Sequence, residues 1–248
     1  MANPLEQFEI ARIAPIALGG VDASFTNAAL FMVIAVGLIW AFFLAATREA
    51  ALVPGRAQAA LESVTGFVQG MIDENIGPKG RAFLPFIFTL FLFILVMNVV
   101  GLVPGSFTPT SHIAVTATLA GFIFAMTIAV GFARHGLHFL ELFVPPNTPR
   151  YLLPLIVVIE VISFFSRPIT HAIRLFANMT AGHILLKVFA GFVVSLGAAG
   201  GALSLFFPVP LVMTVAFYAL ELLVAVVQAY VFALLTCIYL NDSINLSH

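Results

Sequence analysis

The 248-residue chain is 62% hydrophobic and 8% charged, with a mean hydropathy of +1.13. A soluble domain of that length does not solvate such a surface, so the composition is that of an integral membrane protein. A formal net charge of −1 offers no basic face for nucleic acid, and the few charges gather between apolar blocks.

Residues 1–26 read as an external N-terminal arm, interrupted by Pro4 and Pro15. Glu6 and Glu9 stand where a secretory signal would be basic, so the first apolar block is expected to remain in the mature protein. No charge occurs from Ala23 to Thr47, and at about 1.5 Å per residue the helix expected over 27–47 crosses a hydrocarbon core of about 30 Å. Arg48 and Glu49 end it, and Pro54-Gly55 turns the chain. Over 56–74, Leu61, Val64, Phe67, Val68, Met71 and Ile72 recur at helical spacing among Arg56, Gln58, Glu62, Gln69, Asp73 and Glu74. This predicts an amphipathic helix lying in the membrane interface, with a soluble helix packed on a partner as the alternative.

After the Gly/Pro/Lys loop of Asn75 to Arg81 no charge appears until Arg134, and Val103-Pro104-Gly105 to Pro109 splits that interval into helices over 84–103 and 112–133. Asn98 and His112 read as packing or capping groups, and the lone Cys237 as buried packing. Arg134 to Arg150 is a polar, Pro-rich loop. The apolar blocks at 151–194 and 208–240 are each overlong for an upright span, which predicts two long tilted helices joined by the Gly-rich turn near residue 201. The fold class expected is therefore all-α: a single membrane domain of about five transmembrane helices and one interfacial helix, ending in a helical hairpin. With five crossings, Arg48, Arg56, Lys79, Arg81, Arg134 and Arg150 fall on one side. The positive-inside rule makes that side the cytoplasm, with the N-terminus outside and the C-terminus inside.

The last two helices carry polar residues that a bilayer makes costly. A guanidinium at the bilayer centre costs from about 2.5 to well above 10 kcal/mol, which makes Arg174 the residue to explain. On an ideal helix Glu160, Ser163, Arg167, Thr170 and Asn178 fall within about 40° of Arg174, whereas His183 points the opposite way. Glu221, Gln228 and Tyr239 share one face of the final helix within about 20°. Folding the hairpin at residue 201 sets Arg174 opposite Gln228 and His183 opposite Glu221, with Glu160 nearer the cytoplasm. Each polar residue alone fits interhelical hydrogen bonding. Together they make a titratable pair, a fixed cation and a carboxylate in vertical order. His and Glu can relay protons, while Arg cannot. A proton taken up on one side must then be carried around Arg174 by something outside this chain.

The run Arg174-Leu175-Phe176-Ala177-Asn178-Met179 followed by Ala181-Gly182, the run Gln228-Ala229-Tyr230-Val231-Phe232 with Tyr239-Leu240, and the stretches Met97-Asn98 and Phe107-Thr108-Pro109-Thr110-Ser111-His112 resemble subunit a of the F-type ATP synthase. The likeness covers nearly the whole chain. It implies a proton-translocating subunit with no active site or cofactor of its own, beside the rotating c-ring whose essential carboxylate faces Arg174. It also implies a b-type peripheral stalk and the other ATP synthase subunits as partners in the lipid bilayer. Asn178 and Gln228 match the arginine's polar neighbours, His183 and Glu221 the outer half-channel pair, Glu160 the acid of the cytoplasmic half-channel, and Tyr239 the C-terminal motif. The order of acid and histidine resembles the mitochondrial type. That fits a bacterial inner membrane of that kind, with the mitochondrial inner membrane as the other setting. His171 has no counterpart carried over and reads as packing. The alternative function is a secondary transporter with an intramembrane charged site, which would show inverted repeats and broken helices; none is visible in the sequence.

Overall fold

The computed structural model describes residues 9–15, 17–18, 21–22, 24–48, 51–103, 105–144, 149, 151–200 and 205–245. The first eight residues of the arm, Glu49, Pro104, the Pro145 to Thr148 run, Arg150, the turn at residue 201 and the last three residues lie outside that set. Six α-helices carry the fold: α1 (Asn27–Thr47), α2 (Arg56–Asn75), α3 (Leu84–Gly101), α4 (Ile113–His135), α5 (Leu153–Ala198) and α6 (Pro208–Ile244). Among the described residues five helical segments are long and apolar enough to cross a membrane, and α2 is not one of them. The protein is an all-α, multi-pass membrane protein.

The N-terminal arm has structure that the sequence reading does not give it. Strand β1 (Arg12–Ala14) pairs antiparallel with β4 (Phe25–Thr26), and β2 (Ala17–Leu18) with β3 (Val21–Asp22). Asn27 fastens this ribbon to α1: its backbone N–H donates to the Ala11 carbonyl, its Nδ2 donates to the Glu9 carbonyl, and its Oδ1 accepts from the Ala28 N–H at the first turn.

Helix ends differ from the sequence reading where a specific group ends or extends them. The third helix stops at Gly101 rather than 103, where the Ser106 hydroxyl lies 2.7, 3.0 and 2.7 Å from the carbonyls of Val100, Gly101 and Val103 and gives its one hydrogen to one of them. Helix α4 runs past 133 to His135, where Gly136 turns the chain at φ 57° into a 3₁₀ segment over Gly136–Phe143, within the stretch read as a polar loop. That segment buries Phe139 against Gly131, where a Cβ would overlap the ring. Helix α6 continues past 240 to Ile244 because its last turn has partners. Asp242 takes Arg167, the Ile244 carbonyl bonds the His135 ring at 3.2 Å, and Asn245 donates to the Ile76 carbonyl at 3.2 Å. At 46 and 37 residues, α5 and α6 are about 69 and 56 Å long, well beyond the hydrocarbon thickness. Pro168 lies inside α5 and deprives the Phe164 carbonyl of its helical donor without ending the helix.

The chain forms two compact units. The first takes the described residues of 1–39, 93–113 and 175–229, and the second those of 40–92, 114–174 and 230–248. In the second, Phe164 is buried among Phe124, Phe139, Phe143 and Phe165 at centroid distances of 5.0 to 6.5 Å. The amphipathic α2 lies there too, with Val68, Met71 and Ile72 buried. Its end is pinned by Arg81, whose Nε and Nη2 donate to the two Asp73 oxygens at 2.9 and 3.0 Å.

That fork holds the Asp73 carboxyl below the usual carboxylate range. A lowered acid contributes its stabilisation above the ordinary carboxylate value and loses it as pH falls through its own value. The last turn of α2 is expected to stay immobile from neutral pH down to the carboxylate range and to loosen only in stronger acid. A spin label at Glu74→Cys reads this, and Asp73→Asn should be loose at every pH.

Candidate functional site

The first unit holds a buried polar cluster around His183 of α5 and Glu221 of α6. Glu221 is 4% exposed and His183 8%, with 3.6 Å between His183 Nδ1 and Glu221 Oε1. Glycine makes this approach possible. A Cβ on Gly182 would sit 2.6 Å from Glu221 Oε1 and 2.7 Å from its Cδ, so any side chain there would push the carboxyl away. His183 Nε2 bonds the Thr108 hydroxyl at 2.9 Å, and that hydroxyl also donates to the Gly101 carbonyl at 3.2 Å.

A threonine hydroxyl has one hydrogen. If Thr108 gives its hydrogen to Gly101, it accepts from His183 Nε2–H, and this tautomer turns Nδ1 toward Glu221 as an acceptor. The separation is too long for a hydrogen bond, and neither Glu221 oxygen has a hydrogen-bond partner among the described residues. An imidazole nitrogen and a carboxyl oxygen facing each other in a low-dielectric setting can hold one proton on either partner. Such a pair is suited to exchange.

Neutral bonds fix the surroundings. Asn98 is fully buried, accepts from Thr110 at 2.8 Å and donates to the Ala225 carbonyl at 3.3 Å, so it joins α3 to α6 as an interhelical group. Thr180 donates to the Ser111 carbonyl and Tyr218 to the Leu102 carbonyl, both at 3.2 Å. Farther along, Asn178 Nδ2 donates to Gln228 Oε1 at 2.8 Å. Gln228, which the fold-back register sets opposite Arg174, thus uses its amide oxygen for Asn178.

The second unit contains Glu160, Arg167, His171, Arg174 and Tyr239. Arg174 is exposed, and among the described residues it has no ion pair and no hydrogen bond. Arg167 shares the expected polar stripe but is fully engaged: it binds Asp242 and lies over the Phe164 and Tyr239 rings at 5.6 and 5.4 Å. His171 packs as expected, 2% exposed, with 3.7 Å between its ring centroid and that of Phe232. Tyr239 meets the His171 ring at 5.8 Å, and both lie within electrostatic reach of Arg174. Glu160 is half-buried on α5. Tyr239, placed by the helical wheel on one face with Glu221 and Gln228, lies in this unit while they lie in the other.

Sequence reasoning does not single out Thr108, Gly182 or Asp242. Thr108 is legible only as one of six hydroxyl or proline residues in a turn between apolar spans, and Asp242 as the one acid on the last helix after Glu221.

The profile of the family described as "ATP synthase A chain" matches residues 29–241. The chain is 55% identical over 247 residues to the ATP synthase subunit a of Xanthobacter autotrophicus, covering 99% of each chain. It is 53% identical over 246 residues to that of Chelativorans sp., again with 99% of each covered. To that of Rhodospirillum rubrum it is 50% identical over 246 residues, 99% of this chain and 100% of the relative.

The Thr108–His183 contact predicts energetic coupling. In thermal unfolding of the detergent-purified chain, Thr108→Val and His183→Ala should be non-additive by about 0.5–3 kcal/mol in a double-mutant cycle. Strict additivity would mean that hydroxyl and imidazole do not meet.

Proposed function

This chain belongs to the ATP synthase A chain family, and from that premise we propose that it moves protons through two offset half-channels to and from a rotating ring of acid-bearing helices. It thereby couples the proton motive force to ATP synthesis. The observation that carries the proposal is Arg174: an exposed guanidinium, with no acid partner among the described residues, on a helix long and apolar enough to cross a membrane. Its cost is met when an acid from another chain supplies the missing charge. Membership of this family displaces the secondary-transporter alternative.

In this reading the carboxylates of the c-ring pass Arg174 one at a time. Ser163, Ser166 and Thr170 leave an exposed, small-residue face on the Arg174 side of α5, which suits close approach of another helix. The fixed charge favours the ionised form of each arriving ring carboxylate, so its proton leaves before it passes. Being permanently charged, the same group bars protons from running straight from one half-channel to the other. His183 and Glu221 serve the outer half-channel and Glu160 the cytoplasmic one; Asn178, Gln228 and Tyr239 complete the polar lining. The subunit has no active site, cofactor or metal of its own. It sits with a b-type peripheral stalk and the other ATP synthase subunits in a bacterial inner membrane, its basic loops and C-terminus in the cytoplasm.

Two experiments test this reading. With Arg174→Ala, ATP synthesis and ATP-driven pumping should be abolished while vesicles under an imposed potential still show passive proton leak. Arg174→Lys should fail nearly as badly, since a point charge that can deprotonate does not replace the planar fork. Normal coupled synthesis in Arg174→Ala would overturn the function proposed. Orientation is read separately by labelling cysteines from each side: His248→Cys should react only from the cytoplasm, and labelling from outside alone reverses the topology.

A further inference from the structure

Arg167 is the second arginine of α5, and the proposed function gives it no task. Its Nη1 donates to Asp242 Oδ2 at 2.5 Å, and its guanidinium lies between the faces of Phe164 and Tyr239. Tyr239 sits one turn before Asp242 on α6 and also touches His171, which is one turn from Arg174 on α5. Asp242 and Arg174 both lie within electrostatic reach of the Tyr239 hydroxyl. Both the Asp242 carboxylate and the Arg174 guanidinium, which has no ion pair among the described residues, thus act on one tyrosine. Arg167 is the cation that holds this carboxylate.

The geometry makes the competition concrete. Arg174 is seven residues from Arg167 on the same helix, about 10 Å along the axis. Helical side chains lean toward the N-terminus of their own helix, so Arg174 leans toward the level of Arg167 and Asp242. A partly exposed carboxylate that loses its partner attracts the nearest available cation.

We propose that Arg167 is a positioning residue that occupies Asp242, so that the chain's own carboxylate does not capture Arg174 and Arg174 stays available to an acid from another chain. This rests on the role proposed above for Arg174. It differs from a simple staple between α5 and α6, for which losing either partner would do equal harm.

The test uses the complete ATP synthase in vesicles, with assembled complex quantified and ATP synthesis and ATP-driven acidification read together. Arg167→Gln should lower coupled activity about tenfold, because it leaves Asp242 uncompensated. Asp242→Asn alone, which frees only a cation, should stay within about twofold of the parent, as a partly exposed pair contributes little. The double variant should regain most of the activity, to within about threefold of the parent. Arg167→Lys, keeping charge without the fork, should keep about half and serves as the second probe where Arg167→Gln assembles poorly. The proposal is overturned if Arg167→Gln is silent, if Asp242→Asn is as damaging as Arg167→Gln, if the double variant is not rescued, or if Arg167→Lys falls about tenfold. Arg174→Ala in the same preparation keeps the two readings apart: if it retains synthesis, the role of Arg174 fails whatever the Arg167 series does.

Discussion

The two arginines of α5 differ in what balances their charge, and the proposed function rests on that difference. Arg167 has a carboxylate, two aromatic faces and half-burial. Its charge is balanced at the point where it sits, and α6 gains a fixed last turn in return. Arg174 has none of these partners among the described residues and faces outward. A structural arginine in the same setting would have been given what Arg167 has. The contrast between two identical side chains on one helix supports the function proposed for Arg174 more sharply than either residue would alone.

The spans and the polar stripe were legible because a bilayer enforces simple rules. Charge-free intervals of about 20 residues mark crossings, and polar residues at helical spacing mark a face. The meeting of His183 with Glu221 followed from antiparallel folding of two helices about a Gly-rich turn, which needs only residue numbers and an approximate register. What stayed illegible depended on contacts of short range. The N-terminal ribbons are strands of two or three residues, too short for any alternation to register. The Ser106 hydroxyl meets the end of α3, and nothing in a run of apolar and small residues announces that. Asp242 falls beyond the helix expected over 208–240, and its partner Arg167 lies 75 residues earlier in the chain.

Glycine at position 182 belongs to the same class of hidden constraint. Its backbone could carry alanine without strain, since the helix is regular there. What requires glycine is the Glu221 carboxyl lying where a Cβ would be. Gly101 plays the matching part for Thr108, whose side chain occupies its missing Cβ. Two absent methyl groups thus let a carboxyl on α6 and a hydroxyl in the loop after α3 close on His183. A small-residue motif read from sequence would suggest helix–helix approach, whereas here the close partner is an ionisable side chain.

Unsatisfied buried polar atoms give the last criterion. Those of the described residues are His112 Nε2, His171 Nε2, Ser243 Oγ and both oxygens of Glu221. The two imidazoles are compensated by ring contact: His112 stacks on Phe107 at 5.0 Å and His171 on Phe232 at 3.7 Å, so one idle nitrogen on each is a modest loss. A lone serine hydroxyl costs about 1–3 kcal/mol, within what packing absorbs. Glu221 differs in kind. It is ionisable, neither of its oxygens has a hydrogen-bond partner among the described residues, and an imidazole nitrogen lies 3.6 Å from one of them. A fold that needed only cohesion would place leucine there. A carboxyl kept at that cost, with an imidazole facing it and a glycine cleared to admit it, is what the proposed outer half-channel role of Glu221 accounts for.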